Sequence, residues 1–435
     1  MVLGKIDTPP NAAYFVERTE GCSTQQTIKL VTQFFAPDYA ATGQLLDELV
    51  RQLAKQGMPV EVFTGQPGYA DGIESAPHHE TSHNLDIRRS RLTKLWSRRI
   101  RGKALNGVLF MIRAFFHLLF DGKDKMLLLT TAPPFLPVVG YLISLLFNTP
   151  YVVILYDLYP DIAIELGVVD YHHPVAKLWR WVNQRVWRRA KSLIVLSPSM
   201  KERVVGHCPD IADRVEVIHS WADPELIKPI EKKDNWFARQ HGLVDTFTVL
   251  YSGNMGRCHD IDTIFEAAKL LRNEPIKFVC IGGGAKREKL IDDVKAEGLD
   301  ENFLFLPYQD KKDIPYSMTA CDVSLVSVSE GMESLVAPSK LYPALAADRP
   351  IAVICPQSAY LRKLISQARC GASFINGDSA GLAKFLRQLS QTPNQKRTMS
   401  DAGRRYLEAF FTVDVIAKQY ASVLSKVSLP QRGTQ

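Results

Sequence analysis

Residues 28–64 read IKLVTQFFAPDYAATGQLLDELVRQLAKQGMPVEVFT, and the fold class follows from them. Ile28–Thr32 is a short β-type run, a loop spans Gln33–Gly43, and an amphipathic helix continues through Gln56. Gly57 stops that helix and Val60–Thr64 supplies the next strand. Strand, loop, helix, glycine, strand is the βαβ unit of a parallel sheet. Working outward, Met126–Thr130, Tyr151–Leu155, Ser192–Leu196 and Val215–Ile218 repeat the strand signal. Leu127–Phe147 is apolar for 21 residues, long enough to cross a bilayer. A strand, a turn at Pro133 and Pro134, and a buried helix over Leu136–Phe147 account for it better.

The signal changes at Trp221–Phe247, where Pro224, Pro229 and the charge run Glu231–Asp234 suit a linker. A second series then starts: Thr248–Tyr251, a glycine loop, the helix Ile261–Arg272, Phe278–Ile281, Gly282–Gly284 and another helix. Phe303–Leu306, Val323–Val328 and Ile351–Ile354 are further strands. The expected architecture is α/β, with two Rossmann-like domains, 27–220 and 221–400, facing each other across a cleft. A loose extension, 1–26, precedes them, and a helical segment, 401–428, is expected to return to the first domain.

The chain has 435 residues, 46% apolar and 23% charged, which excludes a disordered, collagen-like or small disulfide-built protein. Seven cysteines without CxxC spacing point to a reducing compartment, with neither a zinc site nor a redox dithiol. The first residues lack the apolar core of a secretory signal. The net charge of +7 is unevenly spread. Eight basic and no acidic residues lie in Arg88–Lys103, and six basic and no acidic residues in Lys177–Lys191. The rest of the chain therefore sums to −7.

Four loops carry the candidate chemistry. Phe34–Gln44 joins strand to helix, and its Gly43 lets backbone approach a ligand at a helix entrance, although an ordinary βα turn reads the same way. Tyr251–Arg257 repeats the arrangement, with Gly253 and Asn254 ahead of Arg257, whose planar fork matches phosphate oxygens; a surface Arg in a turn is the plain alternative. Ile281-Gly282-Gly283-Gly284 fails the dinucleotide spacing because Arg287 stands at the third glycine position. Ser329–Tyr342 is the sharpest run. There Pro338 gives a rigid entry, Ser339 a hydroxyl at the helix cap and Lys340 an ammonium, together a seat for a diphosphate. Glu330 and Glu333 are placed to accept hydrogen bonds from sugar hydroxyls; simple capping is the alternative. The histidines of His78–His83 and His172-His173 fall in loops and are read as polar surface, so no metal or other cofactor is expected.

The order of these loops, with the strand end Leu155-Tyr156-Asp157-Leu158-Tyr159-Pro160-Asp161 and the run Glu330-Gly331…Pro338-Ser339-Lys340, resembles family 4 glycosyltransferases. The likeness is to bacterial enzymes of polysaccharide and O-antigen assembly, and it covers Thr27 to about Tyr420. The resemblance implies the two-domain GT-B fold and a nucleotide-sugar donor held by the second domain. It further implies retention of configuration without a required metal. Carried over by position, Gly43 is the donor-facing glycine, Asp157 the polar residue near the reacting carbons, and Arg257 the diphosphate arginine. Ser339 with Lys340 is the second diphosphate contact, and Glu330 or Glu333 stands near the donor sugar. Gly253, Asn254, Gly283 and Tyr342 complete the expected donor set. Two departures stand out. Leu335 and Pro343 occupy the positions of the usual glutamate pair, and His259 that of a lysine.

Both basic stretches interleave cations with Trp and Leu, as an anionic membrane surface attracts. The expectation is therefore peripheral binding at the inner face of the cytoplasmic membrane through 88–120 and 177–191. The acceptor would be a glycan or a polyprenyl-diphosphate-linked sugar. No nucleic-acid module accompanies the cations, so nucleic acid is not an expected partner. An epimerase on the same fold and a non-catalytic nucleotide-sugar-binding partner are the competing readings.

Overall fold

The computed structural model describes residues 26–38, 40–67, 76–90, 100–121 and 125–427. It divides into two compact units, one running up to His219 and resuming at Val413, the other spanning Ser220–Thr412.

In the first unit β1 (Ile28–Thr32), α1 (Ala41–Lys55), β2 (Val60–Thr64), β3 (His79–Ser82), β4 (Leu85–Arg89) and α2 (Ile100–Asp121) follow in order. Next come β5 (Met126–Thr130), α3 (Leu136–Phe147), β6 (Tyr151–Leu155), α4 (Asp161–Glu165), α5 (Pro174–Arg189), β7 (Ser192–Val195), α6 (Pro198–His207) and β8 (Val215–Val217). The sheet order is β3-β4-β2-β1-β5-β6-β7-β8. It is parallel except for the antiparallel β3–β4 pair. β1, β5 and β6 are buried at every position, as strands covered on both faces must be. α1 packs through Leu46, Leu49, Val50 and Leu53, one face of a 3.6-residue repeat. The chain moves one way across the sheet through α2, α3, α5 and α6, and the opposite way through α1. With right-handed crossovers, those four helices share one face and α1 lies on the other.

The second unit takes in the whole expected linker, where Trp221, Ile227 and Phe237 are buried. Its elements are α7 (Trp236–Gln240), β9 (Phe247–Ser252), α8 (Asp262–Leu270), β10 (Ile276–Ile281), α9 (Arg287–Ala296), β11 (Phe303–Leu306) and α10 (Ile314–Thr319). They continue as β12 (Val323–Ser327), α11 (Leu341–Ala346), β13 (Ile351–Ile354), α12 (Tyr360–Ala368), β14 (Gly371–Phe374), α13 (Ser379–Gln391) and α14 (Pro393–Phe410). The six strands are all parallel, in the order β11-β10-β9-β12-β13-β14. Asp322, just before β12, accepts from Lys232 (2.7 Å), Lys396 (2.6 Å) and the backbone N–H of Thr248 (2.9 Å). Burial works against its charge, but the two lysines outweigh burial and hold the carboxyl below its usual range. Linker, sheet and α14 are thereby joined at the N-terminal edge of the strands.

The boundaries differ from the expected ones in one respect. Residues 401–412 stay with the second unit, because Arg404 of α14 donates to the carbonyls of Pro224 (2.9 Å), Ile227 (2.6 Å) and Ala346 (2.6 Å). Only α15 (Val413–Ser425) joins the first unit, where it packs on α1. The expected extension 1–26 lies, but for Gln26, outside the described residues. So do residues 91–99 of the first basic stretch. No described helix is long and apolar enough to cross a membrane, and Leu127–Phe147 is β5, a turn and α3.

Candidate functional site

In the second unit two glycine loops lie side by side at the C-terminal ends of β9 and β10. The Gly253 N–H donates to the Ile281 carbonyl (2.8 Å), Met255 N–H to Gly283 (2.6 Å) and Lys286 N–H to Met255 (2.9 Å). Gly253 and Gly282 both have φ of +121°, where a side chain is strained. A Cβ on Gly282 would also lie 2.3 Å from the Gly253 carbonyl oxygen. Gly283 is half-buried under the Tyr308 ring. Asn254 and Arg257 project as exposed side chains, and no ion pair involves Arg257 among the described residues.

The run after β12 is joined to the same loop, because Ser329 N–H donates to the Cys258 carbonyl (2.9 Å). Met332 and Leu335 anchor it in the core, so the leucine at the first glutamate position is a packing residue. Glu330 is exposed, and Glu333 accepts from the Ser358 hydroxyl at 3.0 Å.

Two expectations in this run change. Lys340, not Ser339, is the N-cap of α11, and no side chain caps the helix. With six residues α11 is too short to contribute much field, so any anion seat here rests on side-chain charge and loop N–H groups. Tyr342, expected at the donor, is fully buried and edge-on to Phe411 at 5.2 Å. On so short a helix two positions separate a partly exposed lysine from a core tyrosine, and Tyr342 belongs to packing.

Lys340 is held against the first glycine loop. Its Nζ donates to the Asn254 carbonyl (3.0 Å), lies 3.3 Å from His259 Nε2 and sits 5.2 Å from the centre of the Tyr251 ring. Its stem crosses Gly253, where a Cβ would meet Cε at 2.9 Å. His259 Nδ1 is 2.9 Å from the Ser327 carbonyl. That bond assigns the ring proton to Nδ1 and leaves Nε2 as an acceptor facing the ammonium. Burial first, and Lys340 second, lower His259 to about 3, so the imidazole is neutral. Solvent reaches part of Lys340, yet the protein packed around its ammonium lowers it to about 7. The His259–Lys340 pair was not foreseen; the only signal was a histidine where the resembling family has a lysine.

In the first unit Gly43 is buried in the first turn of α1. A Cβ there would meet the Phe35 backbone nitrogen at 2.9 Å, so helix-to-loop packing already requires glycine. Asp157 follows β6, and its N–H donates to the Thr131 hydroxyl at 3.4 Å. It lines a slot with Thr131, Pro134, Val138, Leu158 and Trp187. Solvent reaches the side chain, but the surrounding protein raises its carboxyl to about 6.

Other groups resolve as structural. His79 lies on β3 rather than in a loop, 2.6 Å from Asp86, and His173 caps α5 by accepting from Val175 N–H. Among the described residues no group of three or more His, Cys, Asp or Glu side chains is placed to hold a metal. A depression of about 1070 Å³ lies at the opposite edge of the second sheet beside Lys232, Asp322 and Lys396. Lys232 and Lys396 there are both paired with Asp322.

Comparison with known proteins accords with this architecture. Residues 42–221 match the model "Glycosyl transferase 4-like domain" and residues 233–406 the model "Glycosyl transferases group 1". The probable glycosyltransferase WbjE of Pseudomonas aeruginosa is 27% identical over 62% of this chain, and the chain spans 65% of that relative's length. The putative colanic acid biosynthesis glycosyl transferase WcaI of Escherichia coli is 24% identical over 72% of this chain and 79% of its own. Among solved structures, the sucrose-phosphate synthase of Thermosynechococcus elongatus superposes with a TM-score of 0.72, at 18% identity over 92% of this chain and 98% of its own. HepE of Anabaena, in complex with UDP and glucose, gives 0.69 at 16% identity over 92% and 100%. The fold is thus that of two-domain GT-B glycosyltransferases. The chain belongs to glycosyltransferase family 4.

Proposed function

We propose that this chain transfers a sugar from a nucleoside-diphosphate sugar to a glycan or polyprenyl-diphosphate-linked acceptor, with retention of configuration, during assembly of a cell-surface polysaccharide. The observation that carries this reading is the ammonium of Lys340, held over Gly253 between Asn254 and His259, with the exposed Arg257 on the same loop. Two cations on glycine-rich backbone suit a diphosphate, and they favour the charge that builds on it as the glycosidic bond breaks. HepE, a relative in fold, binds UDP and glucose, which supports a uridine-type donor.

Gly253, Asn254, Gly283 and Ser339 offer main-chain and polar contacts to the donor, and Glu330 and Glu333 accept from the hydroxyls of its sugar. Asp157 orients the acceptor, and Gly43 keeps the entrance of α1 close to the Phe34–Phe35 backbone. The name of the colanic acid biosynthesis relative supports the class of product, and the basic, aromatic first unit supports work at the inner face of the cytoplasmic membrane.

The test is a thermal-shift series with UDP, GDP and their sugars, followed by donor consumption with a lipid-linked acceptor. Stabilisation by one nucleotide, with consumption that requires acceptor, is expected. Failure of every nucleotide to stabilise the protein refutes the donor site. Binding without consumption leaves a non-catalytic partner, and conversion of donor without acceptor an epimerase or hydrolase.

A further inference from the structure

The first unit keeps an unusual amount of apolar surface uncovered. Among the described residues, the exposed large apolar side chains other than Leu270, Tyr308 and Ile375 all fall between Leu105 and Trp181. On α2 they are Leu105, Val108, Ile112, Phe116 and Phe120, one helical stripe. On α3 they are Leu142, Leu145 and Leu146, so this helix is buried on one side only. On α5 they are Val175, Leu178 and Trp181. α2 packs on α3 and α3 on α5, within the same layer of the sheet. Phe116, Leu146 and Trp181 keep 55%, 58% and 54% of their surface in solvent. A continuous apolar face of this kind marks a binding surface.

Its charge is one-sided. α3 and α5 contain no Asp or Glu, and the one acid of α2, Asp121, is tied to Lys29 and Lys125. Much of the basic stretch on α5 is nevertheless spent within the unit. Arg188 pairs with Asp210 (2.8 Å) and Arg189 bonds Ser144 (2.9 Å). Trp187 is buried, and Trp179 stacks on Phe135 at 4.1 Å. Lys177, Arg185 and Lys191 remain exposed, with Arg185 5.1 Å from the Trp181 ring.

We propose that the outer face of α2, α3 and α5 inserts into the interfacial layer of an anionic bilayer, held by apolar burial with its few exposed cations in a supporting role. This deepens the peripheral-membrane reading above and shifts its basis from charge to apolar contact. An anionic bilayer offers both apolar depth and negative headgroups. A second copy fits less well, because a two-fold contact would set the α5 cations against their own copies with no carboxylate on α3 or α5 to meet them.

The experiment is flotation of the full chain with vesicles of phosphatidylethanolamine and phosphatidylglycerol, at low and high salt, with UDP thermal shift on the same samples. The wild-type protein is expected to float at both salts. The triple variant Phe116→Ser, Leu145→Ser, Leu146→Ser is expected to lose roughly tenfold or more in partitioning. Lys177→Ala with Arg185→Ala is expected to lose only a fewfold, at low salt alone. Should the triple variant not fold, Leu146→Asp reads out the same face. Binding that high salt abolishes and the triple variant retains overturns the proposal. So does a wild-type protein that never floats, or a dimer by light scattering that the triple variant dissolves. A wild-type protein that is stabilised by a nucleotide but never floats removes this inference alone, whereas one that floats but is stabilised by no nucleotide removes the donor reading alone.

Discussion

Replacing Lys340 by methionine keeps the length of the side chain and removes its charge. An ammonium has three N–H donors. The structure commits one to the Asn254 carbonyl and one to His259 Nε2, which leaves one for a diphosphate oxygen. One charge-assisted bond, strengthened as the leaving group gains charge, is worth about 3 kcal/mol, so kcat should fall ~10²-fold. The variant should not be less stable. The lysine's folded pKa of about 7 lies below its ordinary value of 10.5, so folding disfavours its charged form. Below the ordinary value, where the unfolded chain carries the proton, removing the amine should therefore raise Tm. The same shift predicts that kcat/KM declines as pH rises through about 7. In kcat the limb should move upward, because bound diphosphate favours the ammonium. Steady-state donor consumption across pH, with calorimetric melting, measures all of this. A Lys340→Met enzyme within about threefold of wild type in kcat, or one that keeps the alkaline limb, refutes the assignment.

Three further outcomes follow from the geometry. Gly282→Ala places a methyl against the Gly253 carbonyl at a φ of +121° and should cost about 2–4 kcal/mol in urea unfolding, a change under about 0.5 contradicting the close approach. Tyr342→Phe should leave the donor KM unchanged, while Tyr342→Ala should lose about 3–5 kcal/mol of stability; a raised KM in the phenylalanine variant would return Tyr342 to the donor site. Asp157, raised to about 6, is ionised above that pH, so kcat/KM should fall as pH drops through it, and Asp157→Asn should lack that acid limb.

The elements most legible in the sequence are those whose signal is local. β5 and α3 have the expected bounds, Met126–Thr130 and Leu136–Phe147, because an apolar run broken by prolines is hard to misplace. β3 escaped because His79–Ser82 is polar and largely exposed, held in place by pairing with β4 rather than by a core. β14 is four residues long and only Phe374 is buried, so no periodicity marks it. The glycine loops were readable as anion-type turns, yet the reason for Gly43 is the Phe35 backbone, which no spacing rule reports. Lys340 and Tyr342 show the same limit from the other side. Both suit a phosphate site by residue type, and only the orientation of α11 separates them. The acceptor role of His259 depends on the carbonyl of Ser327, far away in the chain, and is invisible until β9 and β12 are paired.

The interlocked loops after β9 and β10 bear on the thermodynamics of recognition. Their main chains are already cross-bonded, and each φ of +121° sits at a glycine, so little backbone freedom remains to be lost when a nucleotide arrives. Capture of the diphosphate should therefore show a small conformational-entropy penalty and little gain from further rigidification. On the proposed reading, drift toward a new donor sugar would have no slack to exploit in these loops and would fall instead to Glu330, Glu333 and their neighbours.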